Sequence, residues 1–119
     1  MRYLMLIHLN EQEWLALSPE EHARRRAEFD AYAQKMSALG LLLDGNPLHP
    51  VSTATTVRTR NGKLEMVDGP FAETKEQLAG YFLVEVKDLD QALAIAAECP
   101  GSRYGAMEVR PCAPRGDGK

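Results

Sequence analysis

The chain has 119 residues, 45% of them hydrophobic and 26% charged, with a net charge of -3 at pH 7. That size and composition fit one compact globular domain and exclude a low-complexity or fibrous architecture. The negative balance gives no electrostatic footprint for nucleic acid, whose binders usually carry clustered Lys and Arg on one face. The densest basic run, Arg24-Arg25-Arg26, stands beside Glu20, Glu21 and Glu28 and reads as a solvated, charge-paired helix face.

The opening MRYLMLIHLN is too short to span a bilayer and lacks a secretory cleavage pattern, so neither a membrane span nor a targeting segment is expected. Arg2 to Leu9 reads as a strand with Tyr3, Met5 and Ile7 on one face and Leu4, Leu6 and His8 on the other. Ser18-Pro19-Glu20-Glu21 starts a helix: Ser18 can accept a backbone N–H, Pro19 suits the first turn, and Glu21 would complete a capping box. Phe29, Ala33, Met36 and Leu39 then recur at helical spacing until Gly40 offers a left-handed stop. Leu41-Leu42-Leu43 begins a second strand that Gly45-Asn46-Pro47 is expected to break.

Thr53 to Arg60 and Lys63 to Asp68 form two β-prone runs joined by Asn61-Gly62, which favours the positive φ angles of a type I′ turn. Gly80 to Val86 is a further strand. Asp88, with Gln91 three residues later, caps a helix whose stripe is Leu89, Ala92, Leu93 and Ala96 and whose end is Pro100-Gly101. Ala106 to Arg110 supplies the last strand. Residues 1–111 thus read as one domain, and 112–119, rich in Pro and Gly, as a flexible tail. Cys99 and Cys112 lack disulfide or zinc spacing and fit a reduced, cytoplasmic setting.

This order is an α+β, ferredoxin-like βαββαβ pattern with an extra β-hairpin. Two helices cover only one face of such a sheet, yet the first strand and the Gly80–Val86 strand are apolar on both faces. A second copy is therefore expected to cover the other face, making a homodimer of sheets packed face to face.

Asp68-Gly69-Pro70-Phe71, the AETKEQL that follows, the later GYFLVEV, the opening YLMLIH and the closing Arg103-Tyr104-Gly105-Ala106 and Glu108-Val109-Arg110-Pro111 resemble the DGPF branch of the YCII-related family over nearly the whole chain. The resemblance implies a dimeric α+β barrel with a cleft beside the sheet, a shape shared with small-molecule isomerases, lyases and cofactor-free monooxygenases. It also implies an acid/base dyad of a His early in the first helix and an Asp before a Pro after the second. Here the histidine is His22, but Cys99 precedes Pro100, so half of that dyad is kept.

Two roles are open for the DGPF turn. It can anchor a loop against the sheet, or Asp68, Glu73 and Lys75 can hold a polar ligand around Phe71. His22 can act as a neutral base at a helix start, or pack against Leu17 as a staple. His8 is an acid/base or ligand candidate at a strand end, and Tyr81 can line the same cavity with its hydroxyl. No diagnostic metal spacing occurs.

These residues lead to a small-molecule binding protein or acid/base enzyme, working by proton transfer or elimination without a cofactor. Its cavity is expected between the sheet and the first helix, with His22 and Asp68 catalytic and His8, Phe71, Glu73, Lys75 and Tyr81 binding the ligand. The resemblance also implies a competing reading, a non-catalytic accessory module linked to sigma-factor-type transcription control, again without direct nucleic-acid contact.

Overall fold

The computed structural model describes residues 1–114. Its central sheet has four antiparallel strands in the order β2-β5-β1-β6, formed by β1 (Arg2–Leu9), β2 (Leu42–Pro47), β5 (Gln77–Glu85) and β6 (Ala106–Pro111). β3 (Thr55–Arg60) and β4 (Lys63–Asp68) form a separate two-stranded hairpin. The helices are α1 (Glu11–Leu15), α2 (Pro19–Ala38), α3 (Leu89–Glu98) and the single turn α4 (Gly101–Tyr104). With the hairpin set aside, this is the ferredoxin-like order expected from the sequence.

Local chemistry explains the boundaries. The Glu21 N–H donates to Ser18 Oγ at 3.1 Å, with Pro19 opening α2. The capping box is only half formed, because the Glu21 carboxylate turns to Arg24 and Arg25 instead of reaching back. Asp88 Oδ1 accepts from the Gln91 N–H at 2.9 Å and starts α3. Asn61 (φ 51°) and Gly62 (φ 76°) make the positive-φ pair of the hairpin turn.

β3 starts at Thr55 instead of Thr53, behind a 3-10 turn at Val51–Thr53, and β5 starts at Gln77 instead of Gly80; three larger details also differ from the sequence reading. β2 runs on through Gly45, Asn46 and Pro47; it is an edge strand, where a proline need not surrender a ladder bond. α1 fills a stretch left unassigned: Asn10 caps it by accepting from the Glu13 N–H at 3.0 Å. Pro100-Gly101 ends α3 but opens the extra turn α4. At the C-terminus, the Cys112 N–H donates to the Arg2 carbonyl at 2.9 Å, one residue beyond the expected domain end. Most of the expected tail, from residue 115, lies outside the described residues.

Strand alternation places Tyr3, Met5, Ile7 and Leu9 on the helix side, where they pack with Tyr32 and Met36 of α2, Phe82 and Val84 of β5, and Ala92, Ile95 and Ala96 of α3. Burying each large side chain contributes about 1.5–3 kcal/mol. The Tyr32 hydroxyl donates to the Ile95 carbonyl at 2.5 Å, which satisfies the one polar atom that α2 carries into this core.

The opposite face of the sheet bears no helix, and Leu4, Leu6 and Leu83 are half-buried there. The hairpin exposes Val57, Leu64, Met66 and Val67 and pairs with no strand of the central sheet.

Candidate functional site

The helix-free face can be read directly from strand register. Asn46 lies opposite Tyr81, Tyr81 opposite Leu6, and Leu6 opposite Glu108, which makes one row across all four strands. The next row is Asp44, Leu83, Leu4 and Arg110. Paired residues in antiparallel strands share a face, so each row runs from polar edge to apolar centre to polar edge.

Two polar groups are built on these rows. The Tyr81 hydroxyl accepts from Asn46 Nδ2 at 2.9 Å and donates to Asp44 Oδ2 at 3.1 Å, which fixes its orientation. On the other side of Leu6, His8 Nε2 lies 3.0 Å from Glu108 Oε1. A carboxylate accepting from Nε2–H leaves Nδ1 with the ring's lone pair, the arrangement of an oriented base. The His8 side chain is 28% exposed, so the ring is partly desolvated while still reachable.

Beyond His8 lies an apolar cavity of about 420 Å³ lined by Leu48, Pro50, Val51, Ala54, Pro70 and Leu78, with His49 at its wall. Leu78 is the cross-strand partner of His8, so the cavity continues the same face. Its volume lies within the range of ordinary small-molecule pockets. The DGPF turn is pinned over it: the Gly69 N–H donates to the Ala54 carbonyl at 2.7 Å, and Thr56 Oγ1 donates to the Gly69 carbonyl at 2.9 Å. Gly69 has φ 102°, a conformation a side chain would strain. From below, Glu11 Oε2 accepts from the Val51 N–H at 2.9 Å and ties the cavity wall to α1.

The candidates named from sequence fall in three places. His8 and Tyr81 share the helix-free face; strand alternation turns them away from α2, so no single cavity between sheet and helix holds them together with His22. His22 sits on the helix side, its Nε2 against the Trp14 carbonyl and its ring stacked on Trp14 at 5.4 Å. Trp14 is thus a packing partner of His22. Asp68 and Glu73 are exposed around the hairpin foot, and Phe71 is 78% exposed with the Arg58 guanidinium 5.2 Å from its ring centre. Lys75 is also exposed, and its carbonyl accepts from Asn10 Nδ2 at 3.5 Å. No hydrogen bond or ion pair joins His22 to Asp68 among the described residues. Sequence reasoning missed Glu108, Asn46 and Asp44 as partners and His49 as a cavity residue. Glu108 carried a signal, since it alternates with Met107 and Val109 in the last strand.

Residues 1–114 match the YCII-related domain. The chain belongs to the YCII-related family. A relative, an uncharacterised protein of Rhizobium meliloti (strain 1021), is 37% identical over 115 residues, covering 95% of this chain and 93% of its own length. The fold is also that of 5-chloro-2-hydroxyhydroquinone dehydrochlorinase (TftG) of Burkholderia phenoliruptrix AC1100, solved in complex with 2,5-dihydroxybenzoquinone. That likeness has a TM-score of 0.55 at 14% identity, over 95% of this chain and 94% of that one.

Within this YCII-related chain, the position where the family resemblance implies Asp is occupied by Cys99, which is wholly buried. Burial pushes its thiol up to about 11, so it carries almost no thiolate near neutrality. Among the described residues no cluster of His, Cys, Asp and Glu has metal-holding geometry, and no helix is long and apolar enough to cross a membrane.

Proposed function

We propose that this YCII-related protein binds a small, mainly apolar organic molecule in the cavity beneath the DGPF turn and moves a proton on it without a cofactor. The observation that carries this reading is the His8–Glu108 pair, 3.0 Å apart on the face that runs through Leu78 into that cavity. Glu108 holds the imidazole tautomer, and His8 Nδ1 takes a proton from an acidic C–H or O–H of the substrate. In an elimination, the electron pair of the broken bond forms the new double bond while the leaving group departs with its own pair. The Tyr81 hydroxyl, its proton committed to Asp44, keeps a lone pair free to accept a hydrogen bond from a substrate O–H.

We also place the chain in the DGPF branch, on its Asp68-Gly69-Pro70-Phe71 turn, and infer a homodimer of the α+β barrel type. Half-buried Leu4, Leu6 and Leu83 support a second sheet over the helix-free face, which would also remove water from His8. Free Cys99 and Cys112 fit a reducing cytoplasmic setting.

The test is thermal unfolding with a panel of small phenols and quinones, 2,5-dihydroxybenzoquinone first. A ligand at about 100 times its Kd adds about 2.7 kcal/mol to stability, a shift of several degrees. We expect such a shift in the wild type, its loss in His8→Gln, and its weakening in Tyr81→Phe. No shift with any panel member would favour the accessory-module reading, and an equal shift in His8→Gln would remove His8 from the site.

A further inference from the structure

On the helix side, away from the His8 face, a second cavity of about 200 Å³ lies where the end of β1 meets α1, α2 and α4. Its walls include Leu9, Trp14, Leu17 and the ring of Tyr104, and its charged members are Glu13 and Arg25. Arg25 keeps the charge pairing with Glu21 that the sequence suggests but is less solvated than expected. Its side chain is 23% exposed, its guanidinium lies 4.0 Å from the Tyr104 ring centre, and its Nε donates to Glu21 at 2.8 Å. The two terminal nitrogens have no protein acceptor among the described residues, and the Glu13 carboxylate has no cationic partner there.

The Trp14 wall is held rigidly. Its indole stacks on His22 at 5.4 Å and meets Phe29 edge-on at 6.4 Å, while His22 Nε2 engages the Trp14 carbonyl. The ring of the family histidine is therefore committed to fixing Trp14 and serves as a positioning residue for this cavity.

One unpaired carboxylate, one guanidinium fork with unused donors, Asn10 and the apolar side chains of Leu9, Trp14 and Leu17 in one small cavity point to a ligand class. It must carry an anion for Arg25, a cation for Glu13 and a short hydrocarbon body. A cavity of about 150 Å³ already accommodates benzene, so a body of valine or leucine size fits. We propose that this cavity binds a free apolar α-amino acid as its zwitterion, with the carboxylate on Arg25 and the ammonium on Glu13. The site is separate from the His8 face and stands or falls independently of the function proposed there.

The chain has a single tryptophan, so the Trp14 indole N–H gives one unambiguous NMR signal. Full-length protein is titrated with L-leucine, with 4-methylpentanoate as the carboxylate alone, and with 3-methylbutylamine as the amine alone. L-leucine is expected to move the signal with a Kd of about 1 mM or tighter, and each single ion to need at least about tenfold more, the loss of roughly one charge-assisted bond. Glu13→Gln, at an exposed position, is expected to bring leucine to the affinity of 4-methylpentanoate. Arg25→Gln should abolish binding; Arg25→Lys, which keeps charge and stem over Tyr104, should retain part of it. A signal unmoved by leucine, equal binding of leucine and 4-methylpentanoate, or leucine affinity unchanged in Glu13→Gln would overturn the proposal.

Discussion

Cys99 offers a quantitative check on where chemistry can and cannot occur in this fold. The thiol is 0% exposed, and burial lifts its pKa from 9.0 to about 11, with Gly101 and Arg103 opposing that rise only in part. At pH 8 a thiol of that pKa is about one part in a thousand thiolate, roughly a hundredfold less than at its ordinary value. Inaccessibility then adds the cost of opening the core. Iodoacetamide at pH 8, followed by peptide mass spectrometry, should therefore label the exposed Cys112 promptly and leave Cys99 unlabelled until denaturant is added.

The same shift fixes an alkaline limit. A folded-state pKa above the unfolded one means the native chain holds its proton while the unfolded chain loses it. The stability is thus fully present below pH 9 and is lost as pH rises towards 11, by about 2.7 kcal/mol for two pKa units. Tyr32, pushed above the usual tyrosine range by burial with Cys99 and Glu98 nearby, acts in the same direction at still higher pH. Labelling of Cys99 at the rate of Cys112, or a urea midpoint that stays flat from pH 9 to 11, would refute this reasoning.

Gly105→Ala should cost about 3 kcal/mol in urea unfolding, because the new Cβ would run into the His8 carbonyl and meet Leu9 Cδ2 at 2.9 Å; a loss under about 1 kcal/mol would show that β1 and α4 can separate cheaply. Leu6→Glu, at the centre of the helix-free face, should turn a dimer into a folded monomer in sedimentation velocity, and an unchanged species would mean that this face is not the contact. Glu21, held at about 2 by Arg24 and Arg25, contributes stability present above pH 4.5 and lost as pH falls towards 2. Glu21→Gln should therefore lose more stability at pH 5 than at pH 2.5, and equal losses at the two pH values would count against the ion-pair account.

The parts of the fold legible in the sequence are those whose causes are local. Ser18, Asp88 and Asn61-Gly62 each act on neighbours within four residues, so their helix starts and hairpin turn could be placed from the residues alone. The two-faced apolarity of β1 and β5 was likewise visible, because a period of two is a property of the strand itself. α1 was missed although Asn10 with Glu11 and Glu13 is a cap signal: five residues make too short a stripe to read. The Pro47 boundary was misplaced because only the strand order reveals that β2 lies at an edge. The site was the least legible part. His8 and Glu108 are 100 residues apart, and their meeting depends on the β1–β6 register, which no local pattern fixes. The partial burial of Arg25 was hidden for a related reason, since Tyr104, the ring beneath it, is 79 positions further along the chain.

The place of β1 in the sheet also sets the order in which the molecule can assemble. It is made before the other five described strands, yet its two hydrogen-bonded neighbours are β5 and β6, which come from residues 77–85 and 106–111. A nascent chain that has reached only the hairpin holds β1 and α2 but none of the strands that satisfy β1 on either side. The hairpin and α2 can form early from local contacts, whereas the sheet must wait for the C-terminal third of the chain and then close two long loops. Until that moment the alternating apolar run from Tyr3 to Leu9 is open to wrong pairings. A strand hydrophobic on both faces that is made well before its pairing partners is thus the segment for which chaperone protection matters most.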